Sequence, residues 1–292
     1  MANLLQRRLG AVLRARVAGP EAAARAQDIW GTPGPRWFGP NDPIWRVHDD
    51  ASMYPGGIAA LLLQSLHPLA MAGVAGHSGY RSDPWGRLQR TSDYIAATTF
   101  GTIETAEQSI DTVRRVHARV RGRDERGRAY RADDPHLLRW VAVAEAYAFL
   151  RAHERYGRGS LSESEKDTYV CQAGTLAVRL GADELPDSWA GLLDVLHEYR
   201  PELEVTDAAC DAAAFLLHEP PLPAVARPGY ALLANGGVAL LPDWARRELG
   251  LADRVGLATL SGRIGTGTVR WGLAGLTDEP DRAARRQNAT KA

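Results

Sequence analysis

The pattern of hydrophobic and polar positions predicts a chain built from helices. Apolar residues recur at intervals of three and four, and no segment shows a convincing strand-like alternation. Capping boxes at 105–108 and 162–165 and prolines at the start of helical segments mark several helix beginnings. The predicted helices cover about 2–17, 56–66, 83–101, 105–122, 134–157, 162–181, 188–199, 206–218, 221–241 and 243–249.

These segments predict an all-α protein with a single domain of about ten helices. An N-terminal helix and a Gly- and Pro-rich connector (1–42) come before a helical core (43–250). A Gly-rich helical end (251–276) and a polar tail (277–292), which is expected to fray, follow the core. The charged stretch 122–132 is predicted to be a loop, and the glycines from Gly262 to Gly267 a flexible helix junction rather than a phosphate loop.

Composition narrows the class of protein only slightly. Hydrophobic residues make up 45% and charged residues 24%, the net charge is zero and the pI is about 7.1, which gives no case for a nucleic-acid partner. No segment reaches the ~18 apolar residues of a membrane span. The first helix is basic, so peripheral membrane contact stays open beside the favoured role of a docking helix. No export signal is evident; a cytoplasmic location is expected, with Cys171 and Cys210 as buried thiols rather than a disulfide.

A candidate site lies on the two helices that are joined at Gly101. Arg87, Arg90 and Thr91 are spaced i, i+3 and i+4, so they share one face of the first helix. On the second helix, His117 belongs to an apolar stripe that also contains Ile110, Val113 and Val120. From this pattern alone, a hydrogen-bonded core histidine and arginines paired with acidic neighbours such as Asp83 and Asp93 remain the alternative.

Other chemistry-bearing residues give weaker patterns. His48, His67 and His77 could in principle join His117 at a metal, but their spacing matches no zinc template, and capping and loop hydrogen bonding are expected of them. We expect Trp140, Tyr147 and Phe149 to form core or pocket wall.

The motif Arg87-Leu-Gln-Arg90-Thr91, followed by His117-Ala-Arg-Val-Arg121, resembles the shared core of the rubber oxygenases (latex clearing proteins) and the MpaB-type oxygenases. The resemblance covers about residues 43–250. Further stretches that fit it are 44–48, 61–68, 76–80, 83–86, 220–223 and 226–233.

The resemblance implies a haem b group in a globin-like helical core, with His117 as the proximal iron ligand. It places Arg87 and Thr91 close to the haem, and Arg121 one turn beyond the ligand as a supporting residue. Arg87, Arg90 and Thr91 would then be the catalytic residues that orient oxygen or neutralise charge developing on it.

Two positions depart from the pattern of the resembling family. The rubber-cleaving branch has a lysine that can cap the iron where this chain has Arg90. A guanidinium has no free lone pair, so the distal position is expected to be open, water-filled or differently capped. Arg90 would then pair with a propionate or donate to bound oxygen. Ala142 replaces a histidine of many relatives, which removes support near the site and puts activity in question.

The function implied by the resemblance is a haem b-dependent oxygenase that uses O2. The expected substrate is a hydrophobic, unsaturated small molecule, and the expected reaction is oxidation that extends to cleavage of a carbon–carbon double bond. The alternative is a non-enzymatic haem-binding protein, or a cofactor-free helical protein, of the same superfamily.

Overall fold

Helices dominate the fold, as the sequence predicts. The computed structural model describes residues 4–19, 22–251 and 255–276. The helices of this part are α1 (Leu4–Ala18), α2 (Ala22–Ala26), α3 (Pro43–His48), α4 (Met53–Gln64), α5 (Pro68–His77), α6 (Pro84–Phe100), α7 (Ile103–His117), α8 (Pro135–Tyr156), α9 (Glu163–Leu180), α10 (Trp189–Glu198), α11 (Asp207–His218), α12 (Arg227–Val238), α13 (Asp243–Glu248) and α14 (Val255–Ala274). Short π- and 3-10-helical turns lie at Gln27–Gly31, Arg200–Glu202 and Ala224–Ala226. The expected all-α class is confirmed, and the polar tail predicted from 277 lies outside the described residues.

The core is organised around α8, the longest helix of the described part. Asp134 starts it, because its carboxylate accepts hydrogen bonds from the backbone of His136 and Leu137. The helix packs against α4, α9 and α10. Trp140, Tyr147 and Phe149 are all buried in this core, as expected. The Trp140 indole donates to the Gln64 carbonyl at 3.2 Å, which satisfies the polar atom of a fully buried side chain.

Helix α14 is held against α12 by a close approach of their backbones. The glycines from Gly262 to Gly267 lie inside the continuous helix α14, so the predicted flexible junction is wrong. A Cβ at Gly262 would lie 2.7 Å from the Gly236 Cα of α12 and would overlap the Tyr156 ring. The Tyr156 hydroxyl donates to the Gly236 carbonyl at 3.0 Å. Gly236 and Gly262 therefore let the backbones of α12 and α14 come into contact, so part of the glycine-rich stretch is a packing surface.

Helices α6 and α7 form a pair linked by Gly101 and Thr102, and they pack against each other. The Thr102 hydroxyl accepts from the Thr105 backbone N–H at 3.2 Å, so α7 begins before the predicted capping box. The helix ends at His117, and the predicted continuation to Gly122 is wrong. Because the link is short, the start of α6 and the end of α7 lie toward the same end of the pair.

A small β-hairpin follows α7 where the sequence predicts a charged loop. Strands β1 (Arg121–Arg123) and β2 (Ala129–Arg131) pair antiparallel, with Gly122 opposite Tyr130. The Asp124 carboxylate accepts backbone hydrogen bonds at 3.0 and 2.7 Å from residues 126 and 128, and Gly127 takes a left-handed φ of 78°. Tyr130 is buried against the glycines of α5. This turn is fixed by one aspartate and one glycine, and the hairpin has one buried aromatic residue. A search for alternating hydrophobic positions therefore does not detect it.

Cys171 and Cys210 are free, but both are exposed, so the expected burial of the thiols is wrong.

Among the helices of the described part, none alone has the length and apolar character needed to cross a membrane. Only α4 with α5 passes that test as a pair, and the two are bent by 110° relative to each other.

Candidate functional site

Arg87 is half-buried, unlike the two other predicted site residues of α6. It lies in the first turn of α6, which Asp83 caps by accepting the Gly86 N–H at 3.0 Å. Its guanidinium is half-buried and donates to the Ser78 hydroxyl, at the end of α5, at 2.9 Å. Burial lowers the pKa of Arg87, and the side chain still remains charged at neutral pH. A desolvated cation held by one neutral hydroxyl keeps other N–H groups available for an anionic or oxygen-bearing ligand.

Arg90 and Thr91 share the turn with Arg87 but are held locally. Arg90 is exposed and makes an ion pair with Asp83, with 3.2 Å between Nη1 and Oδ2. The Thr91 hydroxyl donates to the Arg87 carbonyl at 3.1 Å and is also exposed. The helical face predicted from the sequence therefore exists, although only Arg87 reaches into the protein.

His117 is the last residue of α7 and is half-buried. Its Nδ1 is buried and has no hydrogen-bond partner in the described part of the chain. Burial lowers the pKa of His117, and Asp133 offsets part of that effect. The ring is therefore neutral at physiological pH, and neutral imidazole is the form that binds metal ions. An unsatisfied buried nitrogen is costly unless a ligand uses it.

The other two residues singled out by the resemblance have simpler surroundings. Arg121 begins β1, is exposed, and donates to the Ala118 carbonyl. Ala142 lies on α8 and packs beside the small cluster of Leu138, Ala177 and Ala182. At the position where the resemblance implies a histidine, the chain thus has an apolar contact beside α9.

Three polar side chains on different helices are partly buried and lose much of their water. For Tyr54 on α4, Tyr94 on α6 and Glu145 on α8, burial is the main cause of a raised pKa. Burial alone raises the pKa of Glu145 to about 7. Loss of water disfavours the charged form of an acid or a phenol. Glu145 also raises the pKa of Tyr94, so the carboxyl acts on a side chain of α6, the helix of Arg87.

His48 lies at another part of this interior. Its Nδ1 is 2.8 Å from the Thr99 hydroxyl, and burial lowers its pKa to about 3. Its ring meets those of Phe149 and Tyr169 edge to face. His48 is therefore a neutral core residue that joins α3 to α6 through Nδ1, not the expected capping or loop residue, and its Nε2 has no hydrogen-bond partner in the described part of the chain.

A second group of donor side chains forms where the sequence predicts none. His67, His136 and Glu202 each place one ligand atom within 4.8 Å of the others. His136 Nε2 is 3.0 and 2.9 Å from the two Glu202 oxygens, and His67 Nε2 is 3.7 Å from Oε2. Neither ring nitrogen of His67 has a hydrogen-bond partner in the described part of the chain, so the expected capping or loop hydrogen bond is absent. This is the one set of three or more such donors that the described residues bring together.

Sequence reasoning missed Glu145, His136 and Glu202. Glu145 is the one charged residue in the apolar stretch from Trp140 to Leu150, and this is a signal that could have marked it. The members of the donor group are 66 or more residues apart along the chain, so no spacing template covers them. Their common feature is a position next to a proline near a helix or turn start, at Pro68, Pro135 and Pro201.

A family model described as "ER-bound oxygenase mpaB/B'/Rubber oxygenase, catalytic domain" matches residues 45–271. Neither the curated proteins nor the solved structures that were searched include a significant match. The matched range contains Arg87, His117 and the donor group, and it reaches past 250 into α14.

Proposed function

The chain belongs to the mpaB/rubber oxygenase family, and from that premise we propose that it acts as a haem b-dependent oxygenase. The proposed substrate is a hydrophobic, unsaturated small molecule such as a terpenoid. The proposed reaction is cleavage of a carbon–carbon double bond to two carbonyl groups. Both atoms of O2 then enter the products, so the overall reaction needs no external reductant.

The observation that carries this proposal is the buried, unpartnered Nδ1 of His117 at the end of α7. A neutral imidazole with an unpartnered, buried nitrogen suits an iron ligand, because binding of a metal by that nitrogen would satisfy it. The residue is also the histidine that the resemblance assigns to iron. His117 would hold the haem iron, and the haem, when bound, would supply the redox chemistry that activates O2.

Arg87 fits a role beside that group. Its partly desolvated guanidinium would donate hydrogen bonds to oxygen or to a carboxylate more strongly than an exposed one. Arg90 would exchange its exposed Asp83 partner for a haem propionate, and Thr91 would accept hydrogen bonds beside it. Arg121 would support the end of α7 through its bond to the Ala118 carbonyl.

The proposed binding site for the apolar substrate is a recess beside Tyr54, Tyr94 and Glu145. Side chains of α4, α6 and α8 would exclude water from the reacting double bond there. Glu145 can hold or release a proton there, because its pKa of about 7 lies close to the working pH. Tyr54 and Tyr94 stay protonated at that pH and can orient polar ends of a substrate.

A pyridine haemochrome assay on protein expressed with a haem precursor tests the cofactor. We expect one haem b per chain, and oxygen consumption with carbonyl products when acyclic terpenoids are added. Colourless protein that also fails to take up hemin would contradict the proposal. Bound haem without oxygen consumption across a panel of such substrates would favour the non-enzymatic haem-binding alternative.

A further inference from the structure

We propose that His67, His136 and Glu202 form a binding site for a divalent first-row transition-metal ion, separate from the proposed haem site. Two imidazoles and one carboxylate are a donor set that zinc and iron(II) sites use when they keep an open coordination position. The three donors come from the residue before α5, the first turn of α8 and the turn at Arg200–Glu202. An ion here would join three segments that are far apart along the chain.

The distances suit a metal after small side-chain shifts. Donors at about 2.1 Å from a tetrahedral ion lie roughly 3.4 Å from each other. The observed separations of 2.9 Å between His136 Nε2 and Glu202 Oε2, and of 3.7 Å between His67 Nε2 and the same oxygen, lie on either side of that value. Rotation of the half-exposed Glu202 carboxylate could equalise them.

The burial of His67 without a hydrogen-bond partner among the described residues independently supports a ligand at this site. Its side chain is 3% exposed, and both ring nitrogens lack a hydrogen-bond partner among the described residues. Trp140 and Tyr199 hold the ring from two sides at centroid distances of 6.3 and 6.4 Å. A buried polar ring kept in place with no partner is costly, and a metal ion on Nε2 would remove that cost.

His136 is already oriented as a metal-binding histidine requires. The Tyr199 hydroxyl has one proton and donates it to the His136 carbonyl at 2.9 Å. Its contact with His136 Nδ1 at 3.3 Å therefore has Nδ1 as the donor. This fixes the ring with Nε2 directed at Glu202, the arrangement in which the second nitrogen supports the ligating one.

The surroundings leave room for an ion and for one more ligand. Two adjoining depressions, of about 340 and 360 Å³, meet at His67, Leu69 and Glu202. Arg126 and Arg128, which line one of them, are paired with Glu204 and Asp124. Their positive charges are thus largely compensated, and the ion would be reached from solvent.

Titration calorimetry with ZnCl2 on chelator-dialysed, full-length protein tests the site, with Fe2+ as a second probe under anaerobic conditions. We expect one ion per chain, and at least a tenfold weaker affinity in Glu202→Gln and in His136→Gln. Both replaced side chains are about half exposed, so the fold should tolerate the changes. The control His218→Gln changes an exposed histidine on α11 and should keep the parent affinity.

Thermal unfolding supplies a second measurement. Zinc should raise the Tm of the parent protein and of His218→Gln, and at the same concentration it should raise that of Glu202→Gln less. Absence of saturable binding in the parent, or equal affinity in all variants, would overturn the proposal. Haem content is expected to be the same in Glu202→Gln as in the parent, so failure of this site and failure of the haem proposal are distinguishable.

Discussion

The α6–α7 pair and the His67 group gather chemistry-bearing residues in opposite ways. On α6, Arg87, Arg90 and Thr91 are neighbours in sequence, yet each is held by a different local partner. His67, His136 and Glu202 are distant in sequence, yet their donor atoms converge within 4.8 Å. Residues with helical spacing thus lie on one face of a helix but need not contact the same partner. Residues that are distant in sequence come together only when the whole fold has formed. In both regions a buried imidazole nitrogen lacks a hydrogen-bond partner among the described residues, as His48 Nε2 and His153 Nδ1 also do.

The largest expected effect is the loss of haem on substitution of His117, which should leave the other region unchanged. His117→Ala should lose haem b almost entirely, because the proposed iron ligand is removed, and it should keep the zinc affinity of the His67 group. A pyridine haemochrome assay and zinc calorimetry on the same preparation measure the two properties. The matched control is His218→Ala, an exposed histidine that should keep both. Haem retained at the parent level in His117→Ala would remove His117 from the iron.

Substitution of Arg87 should affect turnover rather than folding. Loss of a preorganised donor costs about 3 kcal/mol, or roughly a hundredfold in rate. Arg87→Ala should therefore consume oxygen about a hundredfold more slowly per bound haem, once a substrate has been found. Arg90→Ala, on the same turn but exposed, is the matched comparison and should lose less. If both variants lose haem affinity and keep turnover per haem, the arginines serve only the propionates.

The pH dependence of stability tests how dry the recess around Glu145 is. The pKa of Glu145 is about 7 in the folded chain against an ordinary value of 4.5, so between these values the folded state holds a proton that the unfolded state has lost. Its stabilising contribution is fully present below pH 4.5 and is lost as the pH rises through about 7. The amount is on the order of 3 kcal/mol.

Glu145→Gln stays neutral at all pH values and should remove this loss. Urea unfolding should show the variant more stable than the parent at pH 8.5, and much closer to it at pH 5. The control Glu125→Gln changes an exposed carboxylate and should follow the parent. An equal pH dependence in Glu145→Gln and the parent would mean that the carboxylate is solvated.

The smallest expected effect concerns the Asp83–Arg90 ion pair. Both side chains are more than half exposed, at 58% and 65%, so the coupling energy should be below about 1 kcal/mol. Asp83 also caps α6, and its replacement should cost about 1 kcal/mol by itself. A double-mutant cycle with Asp83→Ala and Arg90→Ala, followed by urea unfolding, separates the two contributions. A coupling of several kcal/mol would show that Arg90 is fixed as a structural residue.

Local signals account for what the sequence predicted well. The capping box at Ser162 and Glu165, the left-handed Gly181 that ends α9, and the Asp134 cap are interactions between near neighbours, so they can be read directly from the sequence. The family assignment also followed from the sequence, because its motif residues lie in two short stretches, 87–91 and 117–121. The roles of Arg87, Arg90, Thr91, His117 and Arg121 stay predictions.

Features that depend on tertiary packing could not be predicted in the same way. The end of α7 at His117 depends on the hairpin that follows, and the exposure of Cys171 depends on which face of α9 the core covers. The desolvation of Glu145 arises only once the helices around it are assembled. A single sequence shows which residues have reactive side chains, and the assembled fold determines which of these side chains are shielded from water.

The contact between α12 and α14 at Gly262 has a consequence for mutational tolerance. In a library that varies every position, Gly262 should reject all other residues, as a packed core position does, although it has no side chain to bury. Gly267, only five residues further along the same helix, has open space where a Cβ would be built. There alanine should be accepted and should stabilise the helix by about 1 kcal/mol. Two glycines of one helix would thus mark opposite extremes of the range of tolerated substitutions.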